Sequence, residues 1–318
     1  MPVDTAPGVA RDATGDRAYL GASQSAIAHH YDVGNDFVRL WLDPTMTYSC
    51  ALWAPGDTLE AAQLRKLDYM LDCAHVANGK RVLDIGCGWG SLLRRAVSCG
   101  SSAAVGLTLS REQYDSLSRC PEPQIEVHLK GWSDFQADEP FDSIVSIGAF
   151  EHFARSGLSR EEQITSYRQF FECCHQLLRP GSWMSLQTIT KGDIPVDRQG
   201  LRDILLIVKH MFPESQLPYP ADVIAAAEGY FEITSMRNDR LDYARTCRAW
   251  LDALRSQHEQ AAAIAGERTA ETYTRYLEAC VRQFDRGHAA LCRFAMRRQD
   301  TRGTHAGIAA RFSAGAGS

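Results

Sequence analysis

The run Val82-Leu83-Asp84-Ile85-Gly86-Cys87-Gly88-Trp89-Gly90 constrains this chain more than any other stretch. It reads as a short apolar strand ending in an acid, then a turn with glycine at every second position, then a helix. Glycine there admits backbone conformations that a Cβ forbids. It also lets a flat or charged ligand lie against main chain and a helix N-terminus. The spacing is D-x-G-x-G-x-G, not the G-x-G-x-x-G of dinucleotide folds. A tight turn without a ligand is the plain alternative, but the leading acid and alternating glycines favour a binding loop.

The pattern downstream supplies the scaffold such a loop needs. Strands are expected at 81–85, 103–109, 126–130, 141–147 and 183–190, with helices at 90–98, 110–120 (capped by Ser110) and 167–178, the last ended by Arg179-Pro180-Gly181. This alternation predicts an α/β fold with a doubly wound, mostly parallel sheet, and ligands at the carboxyl ends of its strands. Upstream, Ile27, Tyr31, Phe37, Leu40 and Trp41 recur at helical spacing until Asp43-Pro44, and Thr58 can cap a helix reaching about residue 74. From 191 the rhythm breaks into a helical lid, with 201–212 stopped at Pro213. A strand follows at 231–237. Closing helices are expected at 246–255, at 269–284 and in a third stretch ending at 296. The arginines of that end (Arg282, Arg286, Arg293, Arg297, Arg298) read as a solvated helix face, with a patch for an acidic partner as the alternative. The organisation is then a disordered tail at 1–20, an N-terminal helical cap contributing to the site at 21–78, the ligand-binding sheet at 79–190, the lid at 191–230, last strands and closing helices at 231–300, and a disordered tail at 301–318.

Composition excludes several functions. Net charge over 318 residues is −5, which gives no support to nucleic-acid binding. No apolar run is long enough to cross a bilayer. The first 16 residues carry Asp4, Asp12 and Asp16 without an apolar core, so no signal peptide is read and the expected location is cytoplasmic. Ten cysteines include no C-x-x-C pair, so neither a metal site nor a disulfide framework is expected.

The acid that usually ends the second strand of such sheets is missing. Val105-Gly106-Leu107-Thr108-Leu109-Ser110 stands there, with Gln113 beyond it. Gly106 leaves room for a ligand, and Thr108 and Gln113 can hydrogen-bond to it. Trp132 follows the third strand, where an indole can stack on an adenine or serve the core. Glu151 follows the buried strand at the sheet's carboxyl edge, flanked by Phe150, His152 and Phe153. It can steady a cation or hold a base there, or simply cap a helix or pair with a cation.

Six segments occur in order: His30-Tyr31-Asp32, Asp43-Pro44-Thr45, Tyr48-Ser49-Cys50, Gly86-Cys87-Gly88-Trp89-Gly90, Gly106-Leu107-Thr108-Leu109-Ser110 and Ser146-Ile147-Gly148-Ala149-Phe150-Glu151-His152-Phe153. Over about residues 25–298 the chain resembles the cyclopropane fatty acid synthase and mycolic acid cyclopropane synthase family of S-adenosylmethionine-dependent methyltransferases. The resemblance implies a seven-stranded Rossmann-like sheet of the class I methyltransferase kind. It implies S-adenosyl-L-methionine as cofactor, contacted by Tyr48, Ser49, Gly86, Gly88, Thr108, Gln113 and Trp132; Asp84 and Gly90 join them from the glycine run. It also implies a bicarbonate ion as general base, cradled by Cys50, Glu151, the residue at 187, the Ile189 backbone and Tyr243. Position 187 departs from the family: glutamine stands where histidine is usual, in Leu186-Gln187-Thr188-Ile189-Thr190. Glutamine donates a hydrogen bond but carries no charge and relays no proton.

The implied reaction adds a methyl or methylene to a carbon–carbon double bond through a carbocation. Such a site needs a carboxylate or aromatic face, dry walls and a base. Tyr31, Phe37, Trp41, Phe212, Tyr219 and the lid helix at 201–211 are the expected substrate walls. Arg198, Arg202, Lys209 and Arg245 can clamp one anionic head group. The substrate is an unsaturated acyl chain on a lipid or a carrier protein, or a smaller isoprenoid such as a diphosphate. The extra N-terminal domain of the phospholipid-modifying branch is missing, which points to the single-domain relatives. Methylation of an amine is the rival reading, and a homodimer stays open.

Overall fold

A computed structural model describes residues 20–23, 33–119 and 122–300. Residues 1–19 of the N-terminal tail, residues 24–32 of the helix expected before Asp43-Pro44 (Tyr31 among them) and the tail at 301–318 lie outside the described residues. The strands are β1 (Arg81–Ile85), β2 (Ala103–Thr108), β3 (Ile125–Leu129), β4 (Phe141–Ile147), β5 (Leu178–Lys191), β6 (Phe231–Asn238) and β7 (Ala289–Arg298). They form one sheet in the order β3-β2-β1-β4-β5-β7-β6, parallel except for β7, which runs antiparallel to both neighbours. β1 and β4 are buried along almost their whole length because helices cover both faces of a parallel sheet. The chain winds outward from β1 to β3 and then crosses back to β4. The crevice therefore opens at the carboxyl ends of β1 and β4.

The helices are α1 (Asn35–Arg39), α2 (Leu59–Cys73), α3 (Ser91–Ser98), α4 (Arg111–Ser118), α5 (Arg160–Leu177), α6 (Arg198–His210), α7 (Pro220–Ala227), α8 (Arg240–Ser256), α9 (His258–Ala265) and α10 (Glu267–Asp285). Thr58 and Ser110 cap α2 and α4 as expected, each accepting a backbone N–H. On one face of the sheet, Tyr167 of α5 stacks on Phe150 at 4.5 Å, with Phe170 and Phe171 beside it. The lid helix α6 is fixed to α10 by a bidentate pair: Arg282 donates to Asp203 at 2.9 and 2.8 Å. Among the described residues no helix is long and apolar enough to cross a membrane.

Three expectations are corrected. The third closing helix, ending at 296, is a strand, β7. Its residues are buried from Ala289 to Phe294 and on to Met296, so an interior strand with both faces covered carries no alternation to betray it. Arg293 is accordingly 1% exposed rather than part of a solvated face. The helix expected at 167–178 begins at Arg160, because Ser159 and Glu162 form a reciprocal capping box. The chain then enters β5 directly at Leu178, with Arg179-Pro180-Gly181 inside the strand. Phe37 and Trp41, expected as substrate walls, are core residues packed edge-on against Tyr273 and Trp250.

Candidate active site: two joined cavities at the crevice

The glycine loop makes the floor of a first cavity. Gly86 has φ +88°, and a Cβ on it would lie 2.5 Å from the Ala149 Cβ. Only bare backbone lets the loops after β1 and β4 approach so closely. Gly86, Gly88, Asp84, Thr108, Gln113 and Trp132 line this cavity, and Tyr48 and Ser49 close its far side. The Thr108 hydroxyl donates to Gln113 Oε1 at 2.7 Å and accepts from the Ser110 N–H. Trp132 lines the cavity while its edges pack on Phe153 and Phe170. Gly90 does not line the cavity. Its φ of +82° turns the chain into α3, and a Cβ there would strike Leu117 at 2.5 Å, so its role is the turn.

Under this floor Asp84, expected from the sequence, meets a second buried charge that went unread there, Lys66. Lys66 of α2 is 1% exposed, lines the cavity and donates from Nζ to Ser49 Oγ at 2.9 Å. Burial pulls its ammonium down to about 7, with Arg293 adding to the effect. Burial pushes the Asp84 carboxyl up to about 7, opposed by Lys66. Asp84 Oδ1 is buried without a hydrogen-bond partner. A signal existed: Gln63 and Lys66 are polar residues on the buried stripe of α2. Gln63 holds the 47–49 segment by donating to the Ser49 and Thr47 carbonyls at 2.8 and 3.2 Å.

A second cavity of about 550 Å³ adjoins the first, and Tyr48, Ser49, Gly148 and His152 line both. Its apolar walls include Ile204, Ile207 and Val208 of α6, with Phe212, Leu217 and Tyr219 beyond. Phe212 and Tyr219 are thus both in the lining, Tyr219 with the Lys191 ammonium 4.4 Å above its ring. Arg198, Arg202, Lys209 and Arg245 do not line it; Arg245 lies over the Trp53 ring at 4.0 Å.

At the polar end, Glu151, Gln187, Ile189 and Tyr243 come together in the lining. Glu151 lies in the single turn Phe150–His152 after β4. Its Oε1 accepts from the Ile189 N–H at 2.5 Å, and its buried Oε2 has no partner. Burial pushes this carboxyl up to about 7 despite the Ile189 hydrogen bond. His152 is held neutral, its pKa pulled down to about 4 by burial, with Nδ1 2.7 Å from Ser215 Oγ. That contact and the Gln216 N–H to Glu151 carbonyl bond tie the lid to the Glu151 turn. The Tyr243 ring stacks on Phe284 at 4.3 Å. Cys50 lines neither cavity: it is fully buried behind them, and burial raises its thiol to about 12, which keeps it protonated.

The profile of the mycolic acid cyclopropane synthetase family matches residues 20–294. The chain belongs to that family. Among its relatives, cyclopropane mycolic acid synthase 3 of Mycobacterium tuberculosis (strain ATCC 25618 / H37Rv) is 37% identical over 283 residues, 84% of this chain and 94% of the relative. The structure of the cyclopropane synthase MmaA2 from Mycobacterium tuberculosis superposes with a TM-score of 0.80 at 34% identity, covering 88% of this chain and 99% of that one. The mycolic acid cyclopropane synthase CmaA1 complexed with SAH and CTAB gives 0.79 at 34% identity over the same shares. The seven-stranded sheet is the class I methyltransferase sheet of this cyclopropane synthase family.

Proposed function

We propose that this member of the family transfers a methyl carbon from S-adenosylmethionine to a carbon–carbon double bond in an unsaturated fatty acyl chain. The observation that carries the reading is Glu151. It is a buried carboxyl with one oxygen unpartnered, at the polar end of an apolar cavity that shares a wall with the cavity over the glycine loop. The first cavity fits the cofactor: bare backbone at Gly86 and Gly88, the orphaned Asp84 Oδ1, and an indole beside them. The SAH held by the CmaA1 structure supports the same choice. When bound, S-adenosylmethionine supplies an electrophilic methyl carbon.

The protein does the rest. Ile204, Ile207, Phe212 and Leu217 hold a chain that offers no polar handle and keep water out. The double bond gives its π electrons to the incoming carbon, which leaves positive charge on the neighbouring carbon. Glu151 steadies that charge and holds the base that takes the departing proton. Loss of the proton from the added carbon closes a cyclopropane. Bicarbonate suits the base: its hydroxyl can donate to Glu151 Oε2, while the Gln187 amide and the Tyr243 hydroxyl donate to its oxygens. A diphosphate ester is disfavoured. Among the described residues, Lys191 is the one Lys or Arg in the lining, and Asp193 lines the cavity with it.

The test is incubation with S-adenosylmethionine and monounsaturated acyl chains, offered as phospholipid and as carrier-protein thioester, followed by mass spectrometry. Expected is a gain of one CH2 with loss of the double bond. The Glu151→Gln protein should bind cofactor normally by calorimetry and form no product. Methylation of an amine panel with every alkene untouched would overturn the assignment.

A further inference from the structure

The buried arginine of β7 has no place in the scheme so far, yet it touches the polar end of the substrate cavity. Arg293 stands directly opposite Gln187 in the β5–β7 register. Its Nε donates to Gln187 Oε1 at 2.8 Å. Nη1 is bound to the Asp239 carboxylate, and Nη2 donates to the Ala51 and Cys50 carbonyls at 3.0 and 3.2 Å. Asp239, its side chain 8% exposed, balances the charge. All three nitrogens of the fork are therefore held, from three separate segments of the chain.

A carboxamide alone has two orientations that differ by a half-turn, one offering oxygen to a ligand and the other offering N–H. A guanidinium carries donors and no acceptor, so it tolerates only the orientation with Oε1 against it. The reversed amide would press N–H against N–H and forfeit a charge-assisted bond, worth about tenfold to a hundredfold in population. With Oε1 so engaged, Nε2 occupies the opposite edge of the amide. It makes no hydrogen bond among the described residues, and Gln187 lines the cavity. Resting on the bicarbonate reading above, we propose that Arg293 is a positioning residue: it locks the Gln187 carboxamide with N–H turned to the cavity, making a fixed donor for a planar oxyanion that is also gripped by Glu151 Oε2 and Tyr243. The lock stands in for what the usual histidine would supply at 187. It also explains why a charged pair is buried one strand away from a neutral amide.

The experiment is a double-mutant cycle on the full chain saturated with S-adenosylhomocysteine. Arg293→Met is made together with Asp239→Asn, so that no unpaired charge is left buried. Calorimetry measures the affinity for bicarbonate and, as control, for the cofactor product; alkene turnover is scored separately. In the Gln187 protein the paired replacement should weaken bicarbonate at least tenfold and leave cofactor affinity unchanged. In a Gln187→Leu background it should have no further effect. An equal loss in both backgrounds, or none in either, overturns the proposal and leaves the alkene reading untouched. Absence of bicarbonate binding in the parent protein overturns it too, and the alkene product then decides separately whether the reaction assignment survives.

Discussion

Replacing Glu151 by glutamine should remove activity and yet stabilise the protein above neutral pH. The folded protein holds this carboxyl at about 7, against 4.5 when it is free in water, because burial disfavours the anion. Between those values the unfolded chain has released the proton that the folded chain keeps. Stability is therefore fully present below 4.5, falls as pH rises and levels off above about 7. At about 1.4 kcal/mol per pH unit, the change between pH 5 and pH 8 comes to about 2–3 kcal/mol. Glutamine has no such slope. Asp84, Lys66 and His152 titrate in both proteins and cancel in the comparison. The Ile189 N–H keeps an acceptor in the amide oxygen, and any cost of the new N–H2 does not vary with pH. Urea unfolding of both proteins at pH 5, 6.5 and 8 should show the variant gaining on the parent by about 2–3 kcal/mol across the range. Parallel stability curves would show that the carboxyl is not desolvated, and the argument for its role in holding the cation and the base would fail with them. The trade of stability for function is common at reactive sites.

Gly86→Ala must place a methyl 2.5 Å from the Ala149 Cβ at φ +88°. Thermal unfolding should report a loss of about 2 kcal/mol or more, and calorimetry at least a tenfold weaker cofactor. Asp203→Asn removes the charge that pairs α6 with Arg282. Hydrogen exchange in α6 should quicken and KM for the acyl substrate rise several-fold, with cofactor affinity unchanged; equal changes in both affinities would mean a global rather than a lid effect.

The first four strands and most of the cofactor loop were legible because one constraint wrote both. Strands buried on two faces are mostly apolar, and the loops between them must be glycine where backbones meet. Residue type therefore reports position at Val82–Gly90 and at Val105–Ser110. β7 was illegible for the same reason. Ala289–Met296 is an apolar run with an arginine in it, and the spacing of Arg293 and Arg297 imitates a helix face. What makes Arg293 buried is Asp239, more than fifty positions away, a pairing no local pattern carries. Lys66 was hidden in the same way, its meaning supplied by Ser49 and Asp84. Cys50 and Gly90 were assigned by motif, and motif does not say which members of a run face a cavity and which turn the chain.

The last strand in sequence enters the sheet between β5 and β6, not at an edge. Everything that surrounds the cofactor loop is encoded before about residue 155, but the guanidinium behind the oxyanion end arrives only with β7. The two halves of the site are therefore encoded far apart in the chain. The chamber for the alkene stays open along β5 until β7, which follows β6 only after three helices, inserts beside it. A chain that stops short of β7 lacks Ala289 and Leu291 from the wall of that chamber.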